Sequence, residues 1–336
     1  MSNENSVWRL QTTNNERKIG IYSLENKAAS VGWGDLPNLV GKKNISWEQY
    51  YEEARVVWKD IETQKKEKGE VGRKGIKDQL SPLLRLKGLE KKEGELIWLR
   101  SKGKYYIGRV SKDSIWKYDS SPDREKDGAY NQLTNIKWLP SNGLDESEVP
   151  GAVSTSLIRG STFQRINKVG VFEYSAHKYD ELADSHYYSH VKPISLTEKI
   201  FFNMLTPNDC EDLLCMWLFY NKGYMCIPST NKISTQLYEC VLVDPKTGKH
   251  VYIQVKKGSE NIDYEAYTDL KGEVWLLSTE GKVSLSENYP NIKKVDPSDI
   301  FEFATKGSQL PSYNWEGEAK HLVPPSIKNW IELLDK

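Results

Sequence analysis

Residues Thr235–Gly258 read TQLYECVLVDPKTGKHVYIQVKKG. Tyr238 to Val243 and His250 to Lys256 are rich in β-branched and aromatic residues. Between them, Asp244-Pro245-Lys246-Thr247-Gly248-Lys249 is a cluster of turn formers, so the stretch predicts an antiparallel hairpin. Gln254 and Lys256 are two apart and share one face of their strand, while Val255 points to the other. Glu239, near the start of the first strand, is brought beside them by the hairpin. A carboxylate, an amide oxygen and a lysine then converge at one end of a sheet. Hard divalent cations take oxygen ligands, and a neighbouring lysine can steady a phosphate or orient a water.

Acid, strand, turn, then (D/E/Q)-x-K resembles the PD-(D/E)XK nucleases, of restriction-endonuclease-like fold. Glu239…Gln254-Val255-Lys256 is similar to the Gln-x-Lys branch found in modification-dependent restriction enzymes. The first acid of that family is usually Asp; here it is Glu239, with Asp244 in the turn as competitor. The helix before the core strands in that family often carries a Glu that faces the metal, a role that Glu211 matches, with Asp212 as the fallback. The resemblance implies that Glu239, Gln254 and Glu211 bind Mg²⁺ (or Mn²⁺) and that Lys256 orients the attacking water.

The surrounding pattern suits such a domain over residues 196–336. Leu196 to Met204 predicts one helix. Thr206 caps a second, with Pro207 at its first position, where a missing N–H costs nothing. Cys210, Leu213, Leu214, Trp217 and Leu218 form its buried stripe. Tyr224 to Ile227 and Glu273 to Ser278 predict further strands, and Ser298 to Ala304 and Ile327 to Leu334 further helices. Together they predict an α/β sandwich.

The first half has a different character. Val7 to Leu10 is a strand candidate, and Ile19 to Lys27 reads as helix or strand. Ile45 to Lys59 predicts a helix, with Ser46 and Gln49 forming a capping box. Its stripe of Trp47, Tyr50, Tyr51, Ala54, Val57 and Trp58 reads as core. Glu62 to Lys77, charged and glycine-containing, reads as a loop or frayed helix. Glu95 to Arg100, Lys104 to Val110, Ser114 to Tyr118 and Asn135 to Leu139 are short strands at regular spacing, which predicts a small β-barrel with helices. In Val31-Gly32-Trp33-Gly34 an indole stands between two glycines, so it is either a platform for a planar ligand or a plug at a barrel end.

The order of these elements over residues 1–167, with VGWGD, ELIWLR, YYIGRV, WKYD, NIKW and VPG, resembles EVE/PUA-like domains, relatives of the YTH reader. That resemblance implies a modified base flipped out and held between rings, with Trp33, Trp98, Tyr105, Trp116 and Trp138 as candidates. Residues 168–195 read as a connector. His186 and His190 are four apart there, but no H-E-x-x-H accompanies them.

Composition bounds the rest. The chain has 336 residues, 38% hydrophobic, with 11 Trp and 19 Tyr, enough for real cores. Lys+Arg and Asp+Glu are each 47, so a nucleic-acid surface has to be a local patch. The 4 Cys include no C-x-x-C pair, which argues against a structural zinc site, and they read as buried free thiols of a reducing cytoplasm. No signal segment or membrane span is legible. The class is thus α/β (α+β) in two domains. The expected activity is a Mg²⁺-dependent endonuclease directed to modified-base DNA, in phage defence. The alternatives are a non-catalytic nucleic-acid reader with a degenerate nuclease domain, and an RNA-directed nuclease. Cutting both strands requires two active sites, so a homodimer is expected.

Overall fold

The computed structural model describes residues 5–12, 18–34, 36–67, 76–157, 162–228, 230, 237–307 and 317–335. It is a mixed α/β chain that divides into two compact units. One comprises residues 1–149 and 153–193; the other comprises Pro150–Ala152 and Ile194–Lys336. Among the described residues, no helix is long and apolar enough to cross a membrane.

The first unit contains β1 (Val7–Leu10), α1 (Ile19–Glu25), β2 (Ala29–Val31), α2 (Trp47–Glu67), α3 (Ile76–Lys87), β3 (Leu96–Ser101), β4 (Lys104–Arg109), β5 (Trp116–Tyr118), α4 (Pro122–Asp127), β6 (Asn131–Leu133) and β7 (Lys137–Leu144). After α5 (Gly151–Ser156), which straddles the division, β8 (Phe163–Ile166) and α6 (Val171–Ala183) complete it. The strands form a five-stranded sheet, β7-β4-β3-β1-β8, and a three-stranded sheet, β2-β6-β5. The expected small barrel is therefore not closed. Among the described strands, β7 and β8 end one sheet and β2 and β5 end the other, with no ladder joining them.

The layers follow from alternation. Ile97 and Leu99 of β3 join a core with Val31, Tyr50, Leu80, Leu83, Leu86, Trp116 and Leu133, built from the three-stranded sheet, α2 and α3. Trp98 points to the opposite face, where α6 packs on β3, β4 and β7. Residues 168–195, read as a connector, thus contain a helix that belongs to the first unit. The clustered polar and aromatic residues disguised it, but Val171, Tyr174, Ala176 and Tyr179 are its buried face. The Ser46–Gln49 capping box of α2 is present. The charged stretch 62–77 continues α2 to Glu67 and resumes as helix at Ile76, while residues 68–75 lie outside the described chain.

The second unit contains α7 (Glu198–Met204), α8 (Pro207–Lys222), β9 (Met225–Cys226), β10 (Cys240–Val243), β11 (His250–Lys256), β12 (Glu273–Ser278), β13 (Ile292–Lys294), α9 (Pro297–Lys306) and α10 (Pro325–Leu334). Thr206 caps α8 as the sequence predicts, its hydroxyl accepting from Asp209 N, and Gly223 closes that helix in the left-handed region. The sheet order is β13-β12-β11-β10-β9. β9, β10 and β11 are antiparallel neighbours; β12 and β13 run parallel to β11.

α8 packs on β9 and β11, and α9 packs on α7 and α8. The opposite sheet face, carrying Tyr252, Val274 and Leu276, is covered by Ile262, Tyr264, Tyr267 and Leu270 from the stretch linking β11 to β12. The unit is a helix layer on one face of a mixed sheet, with an irregular cover on the other.

Candidate active site

The hairpin brings together two of the three expected groups, Glu239 and Gln254, through the amide nitrogen of Gln254. Cys240 pairs with Ile253, so Glu239 continues the register opposite Gln254. Its backbone N–H donates to Ile253 O at 2.9 Å. Gln254 Nε2 donates to Glu239 Oε1 at 2.6 Å, and also to Val255 O at 3.1 Å. Gln254 is buried (1% exposed), so its amide orientation is held by these partners.

Glu211 sits in the second turn of α8. Its carboxyl is pushed up to about 7, first by burial and then by the negative charges of Glu239 and Asp212. The two glutamates therefore feel each other. Lys256 lies two residues beyond Gln254 on the same strand, and its Nζ approaches Glu260 Oε1 at 3.9 Å. Tyr267 lies beneath: burial first, then the charges of Glu239 and Glu260, push its hydroxyl up to about 12.

Asp244 is placed elsewhere. It occupies the turn, where Oδ1 accepts from Lys246 N and Oδ2 from the Thr247 hydroxyl. Those bonds hold its carboxyl below the usual range, that of Thr247 most. It stands at the opposite end of β10 from Glu239, so the acid beside Gln254 is Glu239.

Glu239 and Glu211 offer the carboxylate oxygens that a hard divalent cation takes, and a cation at Glu211 would offset the burial and the negative charges that raise its carboxyl. Gln254 would contribute Oε1 after rotation of the amide whose nitrogen now faces Glu239. Glu260 and Tyr267, which the sequence reading did not single out, complete the surroundings. They come from the irregular stretch after β11, which carries no periodicity to place them.

The five candidate rings of the first unit do not form one cage. Trp98 is fully buried and donates from Nε1 to Ser175 Oγ at 2.9 Å. Tyr105 lies on the same face, since Trp98 pairs with Ile107 and Arg100 with Tyr105. Both are packing residues beneath α6. Trp33, Trp116 and Trp138 lie on the other side, against the core shared with α2. Trp138 Nε1 donates to Ala28 O at 3.1 Å.

Trp33 is half-buried and adopts φ 61, a conformation that side chains rarely take. Its carbonyl is held by the Tyr50 hydroxyl at 2.7 Å. Asn131 Nδ2 donates to Gly32 O at 2.7 Å and to Tyr50 Oη at 3.1 Å. Gly34 is required by close approach: a Cβ there would stand 1.9 Å from the Tyr130 ring. A cleft of about 390 Å³ beside it is lined by Gly34, Leu36, Pro37, Val40, Ser120 and Tyr130, with Glu125 as its charged residue.

Nearby on the three-stranded sheet, Tyr118 pairs with Asn131 and Trp116 with Leu133. Trp47 meets Trp116 edge-on at 5.0 Å, and Tyr50 packs on Tyr118 at 4.9 Å. In this aromatic wall a donor, Trp116 Nε1, and an acceptor, Asn131 Oδ1, are buried without a hydrogen-bond partner among the described residues. Such orphaned groups cost about 1–3 kcal/mol each.

His186 and His190 do not share a helix face, because α6 ends at Ala183. Among the described residues, the one group of His, Cys, Asp or Glu close enough to hold a metal by mutual proximity is Cys215, Cys226 and Cys240.

Comparison with protein-family models, with curated proteins and with solved structures found no match to this chain.

Proposed function

We propose that the chain is a divalent-metal-dependent DNA endonuclease whose first unit reads a modified base, acting in defence against phages. The observation that carries the reading is the 2.6 Å contact between Gln254 and Glu239, together with a Glu211 carboxyl raised first by burial and then by the charge of Glu239. Glu239 and Gln254 are the donors that the strand–turn–strand pattern nominates, with Lys256 following on the same strand, and Glu211 is the helix acid that the family resemblance implies.

In this reading Glu239, Gln254 Oε1 and Glu211 hold Mg²⁺ or Mn²⁺, which would lower the pKa of a bound water and polarise the scissile phosphate. Lys256 orients that water and offsets charge developing on the phosphoryl oxygens. Glu260 keeps the ammonium near the strand in the meantime. In the first unit, the half-buried Trp33 offers a stacking surface, while Tyr50 and Trp116 are core rings behind it.

The test is incubation with modified and unmodified phage DNA, with and without Mg²⁺. Metal-dependent cleavage of modified DNA alone is expected. Modified-DNA binding without cleavage in Mg²⁺ or Mn²⁺ would leave the reader and remove the nuclease, and cleavage confined to RNA would replace the substrate.

A further inference from the structure

The second unit holds a side-chain cluster that plays no part in the chemistry above. Cys215 descends from α8, while Cys226 lies on β9 and Cys240 on β10. Their sulfurs all lie within 4.8 Å of one another, and Cys215 Sγ is 3.6 Å from Cys240 Sγ. The sheet register explains the convergence. Cys226 pairs with Leu242, two residues from Cys240, so both thiols project from one face of the sheet. That is the face on which α8 packs, and Cys215 belongs to its buried side. Cys215 and Cys240 are buried, whereas Cys226 is exposed. The cluster is closed toward the core and open at one corner to solvent.

We propose that Cys215, Cys226 and Cys240 form a three-thiolate site for a thiophilic divalent cation of the zinc class. Metal–sulfur bonds of about 2.3 Å at tetrahedral angles place ligand sulfurs roughly 3.8 Å apart. The cluster is already near that spacing, and one pair is slightly inside it. Soft thiolates select zinc-like ions over magnesium, so the site does not compete with the oxygen donors at Glu239. The fourth position faces solvent at Cys226 and takes a water.

On binding, each thiol yields its proton to solvent, up to three per ion, and three sulfur–metal bonds form with no change of oxidation state. The ion ties α8 to β9, a strand of two residues that ends the sheet. The proposal does not rest on the nuclease reading. Ile253, the partner of Cys240, is on the cluster's face, and Gln254 is on the opposite one.

The test uses the full chain, reduced and metal-free, titrated with Co²⁺ and then Zn²⁺. Thiolate-to-cobalt charge-transfer absorption should saturate at one ion per chain and be displaced by Zn²⁺. Cys226→Ser, at an exposed position, should retain the fold. Loss of a group that merely hydrogen-bonds a ligand already weakens metal sites by roughly 10–100-fold, so loss of this ligand should cost about 100-fold or more. Cys210→Ala, on the same helix but outside the cluster, should bind as wild type. Wild-type affinity in Cys226→Ser overturns the proposal. So does the absence of thiolate absorption, or a pair of these cysteines recovered as a disulfide that excludes the ion.

Discussion

Gln254 and Glu239 face each other across the first pair beyond the β10–β11 ladder, amide nitrogen to carboxylate oxygen at 2.6 Å. That hydrogen bond joins two of the three proposed metal ligands before any cation arrives. Glu239→Ala and Lys256→Ala should therefore each lower Mg²⁺-dependent cleavage by about 10²–10³-fold, the cost of removing a charge-stabilising group. Both should leave DNA binding and the far-ultraviolet spectrum unchanged. Wild-type turnover in either variant would remove the assignment.

Asp244→Ala tests the placement of the first acid. Its carboxylate accepts only bonds within the turn among those described, from Lys246 N and Thr247 Oγ1. Cleavage by this variant should stay within about two-fold of wild type, with a small loss of hairpin stability. A collapse of activity with the fold intact would return the role to the turn.

Glu211 gives a pH signature. Its carboxyl is raised to about 7 in the folded chain, against an ordinary value near 4.5. The folded state thus favours the protonated form. The resulting contribution to stability is complete below about 4.5 and is lost as pH rises through 7. Glu211→Gln should be more thermostable than wild type at pH 8 and nearly equal to it at pH 4.5. Mg²⁺ binds the ionised form, so its affinity for the wild type should rise with pH up to about 7 and then level. A variant with the same dependence as wild type would contradict this account.

Trp33 and Trp98 should behave oppositely. Trp33→Ala should weaken binding to modified DNA by roughly ten-fold or more, since a base–aromatic stack contributes about 1–3 kcal/mol. Measured without divalent cations, binding to plain DNA should persist. Trp98→Ala removes a buried ring and its hydrogen bond to Ser175, and should cost about 3–5 kcal/mol of stability. If Trp33→Ala is stable and still discriminates, Trp33 is not the platform.

The contrast shows where the sequence was legible. The hairpin was legible because alternation and turn chemistry are local, and its register then follows. In β3 and β4, alternation says that Trp98 and Tyr105 share a face, but not that α6 covers it. α6 itself was obscured by its His, Tyr and Ser content. α3 follows the charged stretch and contains Pro82, though Leu80, Leu83 and Leu86 repeat at helical spacing. β6, of three residues, is too short for periodicity. The cysteine cluster was invisible because its members stand 11 and 14 residues apart and meet only through the strand register.

The first unit reaches along the chain to Pro193, although Pro150–Ala152 already belong to the second. During synthesis, everything up to Val149 is made before β8 and α6 exist. The wait is 193 minus 149, or 44 residues, which takes about 2–9 s at roughly 5–20 residues per second. Until then the face of the five-stranded sheet that carries Trp98 and Tyr105 has no helix over it. The nascent chain therefore presents a sticky aromatic surface to chaperones and to neighbouring ribosome products, and a chain ended at residue 167 would present it permanently.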